Sequence, residues 1–215
     1  MAKPKKVGSR KFHVEFLNDA QSMAYNYFQR HDVLFLLGPA GSGKTHLSMA
    51  FAINEILEKR RKKIVLTRPI VEAGESLGYL PGDFTEKVNP YMLPLFDCLS
   101  RMVGDDGPTR ESIDRATEIA PIAFMRGRTF HNSICIFDEA QNASKMQIKL
   151  FLSRLGDNSK MIVTGDPDQS DLGKEEPPLV DVVHRVQTVK GVSIMWFKKE
   201  DIVRHELVAR ILEKL

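Results

Sequence analysis

The strongest constraint on the fold is one segment, GPAGSGKT at residues 38–45. It has the form G-x-x-x-x-G-K-[ST], the phosphate-binding loop (P-loop) of nucleoside triphosphatases. Glycines let successive backbone N–H groups curve around phosphate oxygens, where a Cβ would block the approach or the required backbone angles. The pattern therefore predicts a site for the phosphates of a nucleotide.

The residues on both sides of this segment support that interpretation. Residues 33–37 are a continuous apolar run, which is typical of a fully buried parallel strand. Residues 46–60 have the apolar spacing of a helix, whose N-terminus would point the positive end of its dipole at the phosphates. The alternative, a plain glycine turn between a strand and a helix, explains less of this context.

Two side chains of the motif have predicted roles in nucleotide binding. Lys44 is expected to reach the β- and γ-phosphates, and the Thr45 hydroxyl to ligate the Mg²⁺ that accompanies the nucleotide. The predicted cofactors are thus ATP and Mg²⁺. The candidate nucleotide-binding residues in this segment are Gly38, Pro39, Ala40, Gly41, Ser42, Gly43, Lys44, Thr45 and His46.

Further strands and helices are predicted to alternate along the chain. This order indicates an α/β fold with a mainly parallel central sheet flanked by helices. Together with the motif at residues 38–45, it resembles the P-loop NTPase (RecA/helicase-like) class. The predicted strands are 63–67, 119–125, 133–137, 160–164 and 192–197. The predicted helices are 19–30, 87–102, 111–118, 144–155, 178–186 and 204–214, with an ordered loop at 72–84.

Length and composition indicate a single globular domain of 215 residues without a membrane span. Residues 12–215 are expected to form this domain, and residues 1–11 a flexible basic arm. Cys98 and Cys135 show no disulfide pattern, and Cys135 lies in an apolar run, so we expect a buried thiol there and a cytoplasmic location.

Positive charge is concentrated at the N-terminus and at residues 59–63, although the net charge is only +3. Such runs are most often solvated tails or helix ends. The alternative is contact with nucleic-acid phosphates, which would make binding steeply dependent on salt.

Two acidic residues follow the apolar strand at residues 133–137. That position places them at the carboxyl edge of the sheet, where ligands bind in open α/β folds. Asp138 is expected to hold the Mg²⁺ shell, and Glu139 to orient and deprotonate the attacking water. The alternative is that two acids simply end a strand at the surface.

The next strand runs into Gly165-Asp166-Pro167-Asp168-Gln169. Gln169 would then lie at the same edge and sense the γ-phosphate. On spacing alone, an ordinary turn explains Gly-Asp-Pro-Asp equally well.

These motifs resemble those of known families. Residues 138–141 (DEAQ) and 165–169 (GDPDQ) are similar to the metal-binding and γ-phosphate-sensing motifs of superfamily-one helicases, and residues 17–21 to their adenine-recognition motif, with Gln21 contacting adenine. The chain more specifically resembles the PhoH family, over about residues 15–210. The segments that carry this resemblance are 67–69, 72–82, 125–130 and 138–142.

The resemblance implies an ATPase with a single helicase-like core, whereas superfamily-one helicases hydrolyse ATP between two cores. The second core supplies an arginine, whose loss costs about 10³-fold or more in turnover in comparable enzymes. A head-to-tail ring would let a neighbouring subunit supply it. Since PhoH relatives are similar to other ring ATPases in forming hexamers, we expect a homohexamer.

Three arginines are candidates for contacts across subunits. Arg204 matches a family position similar to the last helicase motif and is expected to contact nucleotide, in cis or in trans. Arg126 and Arg128 are expected to contact a subunit or RNA. Each of the three has the alternative of an ordinary surface ion pair.

The sequence as a whole predicts a Mg²⁺-dependent ATPase that acts on RNA or single-stranded nucleic acid, with helicase-like or remodelling activity. The predicted catalytic residues are Lys44, Glu139, Gln169 and Arg204. Alternatives are a ring ATPase that remodels a protein partner, a slow nucleotide-dependent switch, and a small-molecule kinase. The pairing of Glu139 with Gln169 argues against the kinase, because it favours activation of water.

Overall fold

The computed structural model of the chain describes residues 6–9, 12–69, 84–104, 107–169 and 177–203. The first two strands, β1 (Lys6–Ser9) and β2 (Phe12–Glu15), pair antiparallel with each other. Residues 6–9 of the predicted arm thus form a strand paired with β2, and the flexibility of the arm stays a prediction. The other residues of that arm, 1–5 and 10–11, lie outside the described part.

Six further strands form one sheet in which all pairs are parallel, as the sequence predicts. The order across the sheet is β5-β4-β6-β7-β3-β8. Its strands are β3 (Val33–Leu37), β4 (Lys63–Thr67), β5 (Thr117–Ile119), β6 (Ser133–Phe137), β7 (Lys160–Gly165) and β8 (Val192–Trp196).

Six helices cover the two faces of the sheet in the described ranges. They are α1 (Asp19–Arg30), α2 (Lys44–Leu57), α3 (Phe84–Val103), α4 (Pro108–Ala116), α5 (Lys145–Leu152) and α6 (Pro178–Val186). Of the loop predicted at 72–84, residues 72–83 lie outside the described residues and Phe84 begins α3, and the predicted last helix at 204–214 also lies outside them.

The predicted strand at 119–125 is wrong. The edge strand β5 ends at Ile119, and residues Ile122–Met125 form a short 3₁₀ turn instead. Pro121 lies between them and has no backbone N–H to donate to a sheet ladder, so the strand ends before it.

The alternation of side chains along each strand divides the core into two clusters. Leu34 and Leu36 of β3 pack with α1, α2, α3 and α4 on one face, and Phe35 and Leu37 pack with α5 and α6 on the other. Because both faces are covered, the central strands β3 and β6 are almost entirely apolar. The polar residues that follow β3, β4, β6 and β7 therefore gather at one carboxyl edge.

The basic run at residues 59–63 is largely used inside the fold. Arg60 and Arg61 donate to Glu55, at 2.8 and 2.7 Å, and the Glu55 side chain is only 1% exposed. Lys63 lies 3.4 Å from Glu118. This run connects α2 to β4, and three of its five residues pair with acids of the same chain, which favours the structural interpretation over a nucleic-acid contact.

Candidate active site

The P-loop leaves β3 through a position that only glycine fits. Gly38 has φ +134°, and a Cβ built there would lie 2.3 Å from the carbonyl oxygen of Phe197. Phe197 in turn donates its N–H to the Leu37 carbonyl at 2.7 Å. The start of the loop is therefore packed directly against the backbone that follows β8.

The lysine of the motif lies within the curve of the loop. Lys44 is the first residue of α2, is 9% exposed, and its Nζ donates to the carbonyl oxygens of Gly38 at 2.6 Å and Pro39 at 2.9 Å. Ser42 is buried and donates its hydroxyl to Pro39 at 2.9 Å. The ammonium group is thus held where the loop's N–H groups and the N-terminus of α2 converge.

Three other elements brace the P-loop. After β7, the Asp166 carboxylate accepts the Ala40 N–H at 2.9 Å. Val203 donates its N–H to the Gly41 carbonyl at 2.9 Å, and Gln21 of α1 donates to the Ser42 carbonyl at 3.3 Å. The conformation of the loop is therefore fixed by contacts from distant parts of the chain.

Gln21 makes these contacts with both ends of its amide. Its oxygen accepts the Leu17 N–H at 2.9 Å, and the residue is 4% exposed. Asn18 caps α1 by accepting the Gln21 N–H at 2.9 Å and donates to the Asp201 carbonyl at 3.2 Å. In the structure Gln21 ties α1 to the P-loop, and its role in adenine recognition stays a prediction.

Asp138 is a buried carboxylate with mainly neutral partners. It is 2% exposed, and its Oδ1 accepts hydroxyl groups from Thr45 at 2.8 Å and Thr164 at 2.5 Å. Burial, and secondly the adjacent Glu139, raise its pKa, while the two hydroxyls and Arg68 act in the opposite direction. A cation placed beside Asp138 would offset this unfavourable burial of charge.

These residues fit the magnesium ion that the P-loop implies. Mg²⁺ prefers oxygen ligands and is usually held by one or two carboxylates together with nucleotide phosphates. Thr45 Oγ1 and Asp138 Oδ1 supply two such oxygens side by side. Within the described ranges no cluster of three or more His, Cys, Asp or Glu side chains forms a cage made by protein alone.

Glu139 is held on both carboxylate oxygens. Its backbone is left-handed, with φ 54° and ψ 40°. Oε1 accepts from Arg68 Nη2 at 2.9 Å and Oε2 from Gln141 Nε2 at 2.6 Å. Gln141 is itself anchored, because its amide oxygen accepts the Asp166 N–H at 3.1 Å.

Two adjoining cavities meet at Asp138 and Glu139. The inner cavity, of 350 Å³, is lined by the P-loop, Thr45, Asp138, Glu139 and Gln169, among others. The outer cavity, of 520 Å³, shares Thr45, His46 and the two acids with it, and is bounded by Arg68, Arg101 and α3.

The structure thus brings most of the predicted site residues to one place. Gln169 is exposed at the inner cavity, in a short 3₁₀ turn after β7, and donates its N–H to the Asp166 carbonyl at 3.0 Å. Arg204 lies outside the described residues. The predicted residues that line the inner cavity are Ala40, Gly41, Gly43, Lys44, Thr45, His46, Asp138, Glu139 and Gln169.

The two arginines of the 125–130 segment lie apart from this site. Arg128 pairs with Glu118 at 2.5 Å and lies 4.7 Å from the Phe130 ring centroid. Arg128 thus forms an ion pair within the chain, and its contact with a subunit or RNA stays a prediction. Arg126 is exposed and lines a separate cavity of 590 Å³ beside α5.

Sequence reasoning does not assign several residues that build the site. Arg68 enters it only within a family segment, and Gln141 only within a motif. The signal that finds them is their position, since each polar residue closely follows or ends a buried strand at the same sheet edge. The residues without an assigned role are Arg68, Gln141, Thr164, Asp166 and Val203.

Neither cysteine has the lowered pKa of a reactive thiol. Cys135 is fully buried, as predicted, and burial raises its pKa to about 12. Cys98 lines the outer cavity, and burial raises its pKa to about 11, so it stays protonated at neutral pH.

Comparison with known proteins places the chain in a family. The sequence profile of the family described as "PhoH-like protein" matches residues 13–215. The chain belongs to the PhoH family. It is 48% identical over 186 residues to a PhoH-like protein of Bacillus subtilis, and 42% identical over 199 residues to the protein PhoH of Escherichia coli K12.

The chain corresponds to a part of these PhoH relatives. The two matches cover 86% and 91% of this chain, but only 58% and 56% of the respective relatives. The chain therefore spans little more than half the length of the curated proteins it resembles.

Solved structures support the fold of the PhoH core. The large terminase of a thermophilic bacteriophage superposes with a TM-score of 0.58 at 12% identity, covering 92% of this chain and 49% of the terminase. A second structure of that terminase, in complex with ADP, gives a TM-score of 0.55. In the described residues, no helix has both the length and the apolar character needed to cross a membrane.

Proposed function

We propose that this PhoH chain binds ATP with Mg²⁺ and hydrolyses it at the inner cavity. The observation that carries the proposal is the convergence of Lys44, Thr45, Asp138, Glu139 and Gln169 on one 350 Å³ cavity at the carboxyl edge of a parallel sheet. A phosphate loop alone serves for binding, whereas a metal-binding acid with a second acid beside it serves for hydrolysis. A terminase of similar fold was solved in complex with ADP, which supports nucleotide binding by this chain.

The proposed roles follow from the geometry. Lys44 and the backbone of the P-loop hold the phosphates. Thr45 and Asp138 would hold the magnesium ion, which would supply positive charge to offset that of the phosphates. Glu139 accepts a proton from water as the water oxygen attacks the γ-phosphorus, and the bond to the β-phosphate oxygen breaks to release ADP.

The remaining predicted residues have supporting roles. Gln169 is positioned at the inner cavity to sense the γ-phosphate, which would couple hydrolysis to movement of the segment after β7. Gln21 and Val203 donate to the carbonyl oxygens of Ser42 and Gly41, on the side of the P-loop where the base of the nucleotide would lie. We assign adenine recognition to this side.

The test is phosphate release from ATP by the purified chain, with Mg²⁺ and with excess chelator, beside the variant Lys44→Ala. We expect hydrolysis that needs Mg²⁺ and is lost in the variant. Equal release by the wild-type chain and Lys44→Ala would contradict the proposal, since the activity would then come from another source.

We also propose that hydrolysis is coupled to RNA or another single-stranded nucleic acid. The support is the resemblance of residues 138–141 and 165–169 to helicase motifs, together with the exposed Arg126. Single-stranded RNA should stimulate the ATPase rate, and the stimulation should fall as salt rises. A flat response to every nucleic acid would favour a protein substrate, and tight ATP binding with very slow turnover would favour a switch.

A homohexameric ring, with Arg204 reaching the nucleotide of a neighbouring subunit, is the assembly we propose. Mixing Lys44→Ala with Arg204→Ala subunits tests it, because a site is intact where an Arg204→Ala subunit supplies the P-loop and a neighbouring Lys44→Ala subunit supplies the arginine. Recovery of activity on mixing is expected, together with a solution mass of about six chains. No recovery at any ratio would count against a role for Arg204 in trans.

A further inference from the structure

Arg68 connects the two acids of the site to the rest of the fold. It follows β4 directly, and its Nη2 donates to Glu139 Oε1 at 2.9 Å. Its Nε lies 3.8 Å from Asp138 Oδ2, and its Nη1 donates to the Tyr91 carbonyl of α3 at 3.3 Å. One guanidinium group therefore joins the ends of two strands to a helix.

Glu139 is oriented by this contact together with Gln141. Each carboxylate oxygen of Glu139 receives one donor, Arg68 on one and Gln141 on the other. A carboxylate oxygen has two lone pairs, so each oxygen keeps one acceptor position. The carboxylate plane is thus set while its capacity to accept a proton from water is retained.

Glu139 would have other orientations without Arg68. The Glu139 side chain is 36% exposed, whereas the neighbouring Asp138 is 2% exposed and cannot move away. Adjacent carboxylates repel each other, and an arginine close to both offsets part of that repulsion. Loss of the arginine would therefore drive the exposed member of the pair towards solvent.

We propose that Arg68 is a positioning residue that holds Glu139 in the orientation from which its carboxylate accepts the proton of the attacking water. This role rests on the proposed function, because it presumes hydrolysis at the inner cavity. Arg68 lines the outer cavity together with Glu139 and is not among the residues that line the inner cavity, so it acts through Glu139.

The variant Arg68→Ala tests this role when kcat and nucleotide affinity are measured separately. We expect kcat to fall about 10- to 100-fold, the usual cost of losing a partner that orients a site residue. The dissociation constant for ATP should change less than about twofold, since the described polar contacts of Arg68 go to Glu139, Asp138 and Tyr91. Arg68→Lys keeps the charge and a donor, and should retain more of kcat than Arg68→Ala.

A double-mutant cycle with Glu139→Gln separates positioning from a structural role. If Arg68 acts only through Glu139, adding Arg68→Ala to Glu139→Gln should lower kcat little further. Arg61→Ala is the matched control, because Arg61 is 12% exposed and pairs with Glu55 at 2.7 Å. Glu55 lies ten residues beyond Thr45 on α2, about 15 Å away, so Arg61→Ala should lower the melting temperature without lowering basal kcat.

Three results would overturn the positioning role. The first is an unchanged kcat in Arg68→Ala. The second is a loss of activity in Arg68→Ala that is explained by a smaller fraction of folded protein, the only effect expected in Arg61→Ala. The third is full additivity of the losses of Arg68→Ala and Glu139→Gln. Absence of Mg²⁺-dependent hydrolysis by the wild-type chain is a different outcome, which would overturn the proposed function and this role with it.

Discussion

Two buried carboxylates lie near opposite ends of α2, and they differ in how their charge is compensated. Glu55 near the C-terminal end is 1% exposed and receives two guanidinium groups, at 2.7 and 2.8 Å. Asp138 beside the N-terminal end is 2% exposed and receives two hydroxyls, with its closest described arginine atom 3.8 Å away.

The difference separates a structural acid from one suited to a cation. Two close arginines neutralise Glu55, so this carboxylate needs no cation from outside the chain. Burial raises the pKa of Asp138, because its hydroxyl partners do not neutralise the carboxylate. A metal ion beside Asp138 would supply the missing positive charge. Equally buried acids beside one helix thus have different roles according to their partners.

Of the substitutions in these two acids, the one at Asp138 should lower ATP hydrolysis most. In Asp138→Asn the hydroxyls of Thr45 and Thr164 keep an oxygen acceptor, but the negative charge for the metal is lost. We expect ATP hydrolysis to fall about 10²-fold or more, measured as phosphate release over a series of Mg²⁺ concentrations.

The stability of the same variant provides the second half of this test. Because burial disfavours the ionised form of Asp138, Asp138→Asn should melt at the same temperature as the wild-type chain or higher, without nucleotide. A marked fall in melting temperature would mean that Asp138 is structural in the way that Glu55 is.

A smaller effect, on stability alone, is expected at Glu55. Glu55→Gln leaves two arginines without their carboxylate, so the free energy of unfolding should fall by about 1–3 kcal/mol. Denaturant unfolding measures it, and basal kcat below the transition should stay within about twofold of wild type. A large loss of kcat in fully folded protein would show that the two ends of α2 are coupled.

The smallest effect is expected for the exposed lysines of the basic run. Lys59 and Lys62 are exposed at the end of α2, and the arginines between them are used by Glu55. The double variant Lys59→Gln/Lys62→Gln should leave RNA stimulation and its salt dependence nearly unchanged. A decrease of about two in the salt slope would instead place both lysines on phosphates.

Much of the fold was predictable because its strands are unambiguous. Val33–Leu37 and Ser133–Phe137 are continuous apolar runs, and a run of that kind bounded by turn residues fits a strand buried on both faces. The prediction failed at 119–125, where the apolar residues of a 3₁₀ turn have no periodicity that distinguishes them from a strand.

The candidate site was predictable where a motif assigns a role to each position. Lys44, Thr45, Asp138 and Glu139 were placed at one sheet edge, and the structure brings them there. The partners of these residues were not predictable, because Arg68 and Asp166 meet the site only through the order of strands in the sheet. The basic run at 59–63 could not be assigned either, since its partner Glu55 lies on the buried face of α2.

The most direct test of hydrolysis by Glu139 at the inner cavity is the variant Glu139→Gln. It is compared with the wild-type chain for ATP binding and for single-turnover hydrolysis in Mg²⁺. For Glu139→Gln we predict an ATP dissociation constant within about threefold of wild type. We predict a hydrolysis rate lower by about 10²–10⁴-fold, the usual contribution of a general base. Hydrolysis by Glu139→Gln at a rate near that of the wild-type chain would contradict it, because the site would then activate water without this carboxylate.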